Sequence, residues 1–117
     1  MKILIVDDDQ NIRFLFKEDL KEEGYEVIVA DSGKEALRLF EEENPDIVSL
    51  DISLPDISGI ELLRTMKEKR PDLPIIMTTA YDYRDDFSVW ASDSYIIKSS
   101  DTTELKETIK SLMQKKL

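Results

Sequence analysis

The sequence predicts an α/β protein built as a doubly wound, five-stranded parallel sheet with helices on both faces. Three observations predict it. Five short apolar runs recur along the 117 residues, each of strand length. Between them lie stretches whose apolar residues repeat at helical spacing, and Gly, Pro or Ser punctuates several junctions. Strict alternation of this kind demands a parallel sheet joined by right-handed crossovers.

Lys2–Val6 (KILIV) is a continuous apolar run suited to a buried parallel strand, and it ends abruptly in Asp7-Asp8-Asp9. Ile12, Leu15, Phe16 and Leu20 then follow at helical spacing until Gly24. Tyr25–Ala30 (YEVIVA) is the second strand. Ser32 caps the next helix, whose inner face is Ala36, Leu37 and Phe40. Asp46–Leu50 (DIVSL) runs into Asp51 as the third strand. After Pro55, Ser58 begins a helix with Leu62, Leu63 and Met66 on one side. Pro71 and Pro74 bracket a turn before the fourth strand, Ile75–Thr79. Phe87, Trp90 and Ala91 suit the inner side of a short helix, and Ser94–Lys98 is the fifth strand. Asp101 to Glu104 resembles a capping box for the last helix, which carries Leu105, Ile109, Leu112 and Met113.

Composition narrows the chemistry. The hydrophobic share of 41% suits a globular core, so disorder is not a serious reading. Residues 1–117 are expected to form a single domain, ending with the last helix and without an output domain. A formal net charge of −10 repels nucleic-acid backbones and anionic membranes, leaving cations and basic protein surfaces as partners. The chain has no Cys, which excludes disulfides and thiol catalysis, and no His, which excludes imidazole acid–base chemistry. Any metal is therefore a hard ion held by oxygen. No apolar run approaches the roughly 20 residues that span a bilayer, and the N-terminus lacks a signal peptide's pattern. A cytoplasmic location is expected.

In an open α/β sheet, ligands bind beyond the carboxyl ends of the strands, where strand order reverses. The flavodoxin-like order 2-1-3-4-5 makes strands 1 and 3 neighbours, so Asp7 and Asp8 come beside Asp51. Thr79 and Lys98 end strands 4 and 5 on the same edge. Three crowded carboxylates repel and require an offsetting charge. Mg²⁺ supplies it, using few carboxylates and several retained waters, and Lys98 adds a positive point charge suited to a phosphoryl oxygen. A carboxylate so surrounded is equipped to accept a phosphoryl group. The competing reading, that Asp7–Asp9 merely favour a helix N-terminus, needs only one acid, and Asp9 is best placed for that. Asp51 lies too far before Ser58 to serve its helix.

Val6-Asp7-Asp8, Asp51 with Pro55 and Gly59 behind it, Met77-Thr78-Thr79-Ala80 and Tyr95-Ile96-Ile97-Lys98 together resemble the response-regulator receiver signature along nearly the whole chain. The resemblance implies a two-component or phosphorelay protein. Asp51 would take the phosphoryl group from a phosphohistidine on a sensor histidine kinase, signalling through protein contacts to a downstream protein or a histidine phosphotransfer protein. It also implies that Asp8, Asp51 and the Ser53 carbonyl ligate Mg²⁺, with Asp7 acting through water. Thr79 would hydrogen-bond the phosphoryl group, Lys98 would pair with it, and Tyr95 would move inward as Thr79 is drawn to it. As an enzyme, such a chain catalyses only its own phosphotransfer and dephosphorylation.

The chain departs from the family at two places. Lys98-Ser99 stands where members carry Lys-Pro, and a trans bond is expected there because cis costs about 2.5–4 kcal/mol without proline. The stretch from Thr79 to Lys98 is about a turn short, which predicts a short or irregular fourth helix. One alternative is a receiver-like interaction module that is not phosphorylated; the intact Asp7, Asp8, Asp51, Thr79 and Lys98 argue against it. An aspartyl-phosphate phosphatase would need an acid where Ser53 stands, and a flavin-binding protein would need a phosphate cradle where the three acids stand.

Overall fold

Apolar, largely β-branched residues form five short strands: β1 (Lys2–Val6), β2 (Glu26–Ala30), β3 (Ile47–Asp51), β4 (Ile75–Thr79) and β5 (Ser94–Ile97). In the computed structural model, which describes residues 1–80 and 92–115, they make one parallel sheet in the order β2-β1-β3-β4-β5. The expected order is thus observed, with strand ends displaced by at most one residue. Four helices accompany the sheet among the described residues: α1 (Gln10–Glu22), α2 (Gly33–Glu43), α3 (Gly59–Lys69) and α4 (Thr103–Lys115). The short helix expected around Phe87, Trp90 and Ala91 lies outside the described residues. None of the described helices is long and apolar enough to cross a membrane.

Alternation along each strand divides the core in two. Leu4, Val6, Leu50, Ile75 and Met77 pack on one side with Ala36 and Phe40 of α2 and Leu62, Leu63 and Met66 of α3. Ile3, Ile5, Ile47, Ile76 and Ile96 pack on the other with Phe16 and Leu20 of α1 and Leu105 and Ile109 of α4. Every residue of β3 and β4 is buried, as strands covered on both faces must be.

Local capping fixes where the helices begin. Asp9 accepts the Asn11 amide at 2.8 Å and caps α1, the role expected of one of the three acids. Ser32 accepts from the Glu35 amide at the start of α2, and Ser58 from the Ile60 amide at the start of α3. The start of α4 differs from the expected capping box. Asp101 accepts the Thr103 amide at 3.0 Å, while the Thr102 hydroxyl donates to Asp19 of α1 at 2.6 Å. Thr102 is buried, so its hydroxyl takes a tertiary partner.

Gly59 brings α3 against the end of β3. Its amide donates to the Ile52 carbonyl at 2.8 Å, and a Cβ there would lie 2.1 Å from the Asp51 carbonyl oxygen.

Ser49, in the middle of β3, is 1% exposed, and its hydroxyl has no hydrogen-bond partner among the described residues. An unpaired buried hydroxyl costs about 1–3 kcal/mol. Ser49→Ala is therefore expected to leave stability unchanged or raise it by about 1 kcal/mol, measured by urea unfolding. A loss of more than that would mean the hydroxyl has a partner.

Candidate functional site

The register brings the sequence-separated acids together. Val6 pairs with Leu50, so Asp7 and Asp51 follow each other on adjacent strands at the carboxyl edge. Asp51 pairs with Thr78, and Thr79 with Ile97, which sets Thr79 and Lys98 along the same edge. Carboxylate oxygens of Asp7, Asp8 and Asp51 lie within 4.8 Å of one another. Asp7 and Asp51 are buried and Asp8 is exposed. Asp8, Asp9, Asp51, Ser53, Thr79, Ala80 and Lys98 line a cleft of about 180 Å³. A larger hollow of about 510 Å³, near Tyr25, Lys106 and Lys110, contains no comparable cluster of acids. Convergent polar groups, not volume, select the smaller cleft.

Lys98 bridges the two buried acids. Its Nζ lies 2.6 Å from Asp7 Oδ2 and 3.2 Å from Asp51 Oδ2. Among the described residues the Lys98 ammonium is the group that meets Asp7 Oδ2, as a close charge contact. Asp7 is otherwise firmly held. Its Oδ1 accepts the Asp9 amide at 2.9 Å, its carbonyl accepts Arg13 Nη1 at 2.8 Å, and its amide donates to the Ala30 carbonyl at 3.0 Å. On the far side of the site, Asp51 Oδ1 accepts the Ser53 amide at 3.2 Å.

Burial dominates the electrostatics of Asp51. Desolvation, with the nearby Asp7 charge, pushes its carboxyl up to about 6 against the opposing pull of Lys98 and the Ser53 amide. Burial alone would lower the Lys98 ammonium, but Asp7 and then Asp51 outweigh it and hold it above its usual range. Three carboxylates against one ammonium leave a formal charge of −2, so the arrangement suits a divalent cation with oxygen ligands.

Thr79 is buried at the end of β4, and Tyr95 is half-buried against the α2/α3 side of the core. Met77 pairs with Tyr95 and Thr79 with Ile97, so alternation puts Thr79 and Tyr95 on the same sheet face, diagonal neighbours. Every described peptide bond is trans, Lys98–Ser99 included, as expected without proline. The turn beyond is built from side chains, with Ser99 Oγ accepting the Asp101 amide at 3.1 Å. Lys98 nonetheless reaches the acids, its amide donating to the Thr79 carbonyl at 2.7 Å.

Two supporting residues escaped the sequence reading. Arg13, six positions beyond Asp7, holds the Asp7 carbonyl. Asp56 accepts the amides of Gly33 and Lys34 at 2.8 and 2.9 Å. Helical spacing of Arg13 from the start of α1 was a faint signal for the first. Nothing local signalled the second, because its partners lie 23 and 22 positions away.

The raised Asp51 pKa has a consequence for stability. The folded chain holds more protons than the unfolded chain between about pH 4 and 6, so this group's contribution to stability falls as pH rises through that window. Metal-free Asp51→Asn is expected to exceed the wild type by on the order of 2–3 kcal/mol near pH 7.5, the difference vanishing near pH 4. Denaturant unfolding across the range checks this; a pH-independent difference would contradict it.

Comparison with known proteins agrees with this geometry. A family model described as "Response regulator receiver domain" matches residues 3–110. The chain is 35% identical to the alkaline phosphatase synthesis transcriptional regulatory protein PhoP of Bacillus subtilis, over 97% of this chain and 49% of that one. It spans about half the length of the curated relatives it matches. Among solved structures, the response regulator TrrA of Thermotoga maritima in complex with Mg²⁺-BeF is 51% identical, with a TM-score of 0.91 and coverage of 95% of this chain and 97% of that one. TrrA in complex with the histidine kinase ThkA is similar at 51% identity and a TM-score of 0.89, with the same coverage of both chains. The match over nearly the whole chain, with the acids and lysine gathered at the same sheet edge, leaves no doubt of kinship: the chain belongs to the response regulator receiver domain family.

Proposed function

We propose that this chain is a phosphoacceptor receiver whose Asp51 takes a phosphoryl group from a phosphohistidine of a sensor histidine kinase and signals through protein contacts to a downstream protein or a histidine phosphotransfer protein. The observation that carries the reading is the placement of Asp51 between the Asp7-Asp8 pair and Lys98 at one sheet edge. A bond forms between an Asp51 carboxylate oxygen and phosphorus as the phosphorus–nitrogen bond of the donor breaks, and the departing imidazole keeps the electron pair. Lys98, now drawn to two carboxylates, is within reach to pair with the transferred phosphoryl group and neutralise part of its charge. Thr79 supplies a hydroxyl at the same cleft, and Tyr95 follows Thr79 along their shared face.

The donor set fits Mg²⁺: three carboxylates, two of them buried, carry a surplus negative charge in a cleft open to water. Asp8, Asp51 and the Ser53 carbonyl would hold it. Asp7 would act through water, because Lys98 meets its Oδ2 and the Asp9 amide its Oδ1. When bound, the ion neutralises charge on the acceptor carboxylate and the incoming phosphoryl oxygens. TrrA, the similar protein of known structure, was captured with Mg²⁺-BeF and with a histidine kinase, which supports both the metal and the partner. Residues 1–117 act in this reading as one receiver, signalling through protein contacts.

Acetyl phosphate with Mg²⁺ is expected to add one phosphoryl group, read by intact mass, and Asp51→Asn is expected to abolish it. A shift that survives Asp51→Asn would move the acceptor elsewhere. Mg²⁺ at ten times its Kd is expected to stabilise the fold by about 1.4 kcal/mol, since it binds the folded site only. Asp8→Ala should lose most of that gain. Equal thermal midpoints in Mg²⁺ and in EDTA would rule out metal loading.

A further inference from the structure

We propose that Asp56 is a positioning residue for the metal site: its carboxylate ties the tip of the loop between β3 and α3 to the first turn of α2, and so fixes the segment that presents Ser53 to the acidic cleft. The inference rests on reading that cleft as a Mg²⁺ site.

The two oxygens of Asp56 are used separately. Oδ1 accepts the Gly33 amide at 2.8 Å and Oδ2 the Lys34 amide at 2.9 Å. These are the first two residues of α2, whose N–H groups have no partner within the helix. Ser32 already satisfies the Glu35 amide, so a local cap serves the helix on its own. Asp56 adds a bond across 22 to 23 residues of chain, from a loop to a helix on the same side of the sheet. The two amides hold its carboxyl below the usual carboxylate range, consistent with a lasting charge-assisted contact at the positive end of α2.

Packing closes the same junction. A Cβ on Gly33 would lie 1.8 Å from Ile57 Cγ2, so the Ile57 side chain of the loop rests directly against the helix backbone and a larger residue at 33 would displace it. At its base the loop is closed by the Gly59 amide on the Ile52 carbonyl at 2.8 Å, and the Ser53 amide donates to Asp51 Oδ1. Residues 52–58 are thus held at both ends and at the tip, with Ser53 three positions from Asp56. A ligand carbonyl already ordered loses less freedom when a cation binds. Partners that orient metal ligands in this way typically change affinity 10- to 100-fold when removed. Asp56 is itself exposed, so its replacement leaves the core intact.

Calorimetric titration of Mg²⁺ into the intact wild type, Asp56→Ala, Asp56→Asn and Ser32→Ala tests the proposal. Asp56→Ala is expected to raise the Mg²⁺ Kd about tenfold, with Asp56→Asn, which keeps one neutral acceptor, between it and the wild type. Ser32→Ala removes a cap from the same helix without touching the loop and should leave Kd unchanged. Amide hydrogen exchange supplies an independent readout: Gly33, Lys34 and residues 53–58 should exchange faster in Asp56→Ala but not in Ser32→Ala. A wild-type Kd in Asp56→Ala, or equal weakening in Ser32→Ala, overturns the positioning role while leaving the metal site standing. A wild type that binds no Mg²⁺ overturns the metal site itself, and the proposal with it.

Discussion

Repulsion among Asp7, Asp8 and Asp51 is the constraint to which the rest of the carboxyl edge answers. Two of these acids are buried, and burial makes each charge costly. Lys98 offsets part of the cost by meeting both buried carboxylates, but one ammonium cannot balance three acids. Burial first, and the Asp7 charge second, still push the Asp51 carboxyl up to about 6 against the pull of Lys98. A fold selected for stability alone would replace such a cluster with apolar side chains. Such a cluster suits chemistry that uses an ionised, partly desolvated carboxylate with a place beside it for a cation.

Holding like charges together requires a rigid frame, and the sheet supplies it. β3 carries Asp51 between β1 and β4, hydrogen-bonded to a neighbour on either side, so the strand that bears it is held along both edges. Backbone contacts then fix the individual groups. Asp7 is bound through its amide, its carbonyl and one carboxylate oxygen. Gly59 lets α3 approach the backbone of Asp51 so closely that no side chain could intervene. Lys98 keeps its place through its own amide on Thr79, despite the serine that follows it.

The alternation of the strands also distributes roles between the two faces. Thr79 and Tyr95 belong to the side packed by α2 and α3, as does the loop that bears Ser53 and Asp56. The opposite side, packed by α1 and α4, is tied together by the Thr102–Asp19 hydrogen bond at the edge of a continuous apolar layer. The acidic cleft opens where the two sides meet, so a change of charge there bears on both. Such an edge is a natural place for a local electrostatic event to be read elsewhere on the surface.

Much of this was legible from the sequence because the signals are local. Continuous apolar runs such as KILIV and IIMTT mark buried strands, and Ser32, Ser58 and Asp9 mark helix starts through bonds spanning two or three residues. Acids and a lysine at strand ends identified the site once the strand order was assumed. The sequence by itself therefore determined the described strands and helices, the sheet class and the residues at its carboxyl edge. Only the tertiary structure decided how those residues engage: which carboxylate oxygen meets Lys98, that the Thr102 hydroxyl turns to Asp19, and that Asp56 spans to α2. Such choices depend on which backbone amides and carboxylates become neighbours after the sheet is assembled. Periodicity encodes which face a residue takes, but not which distant group it meets there.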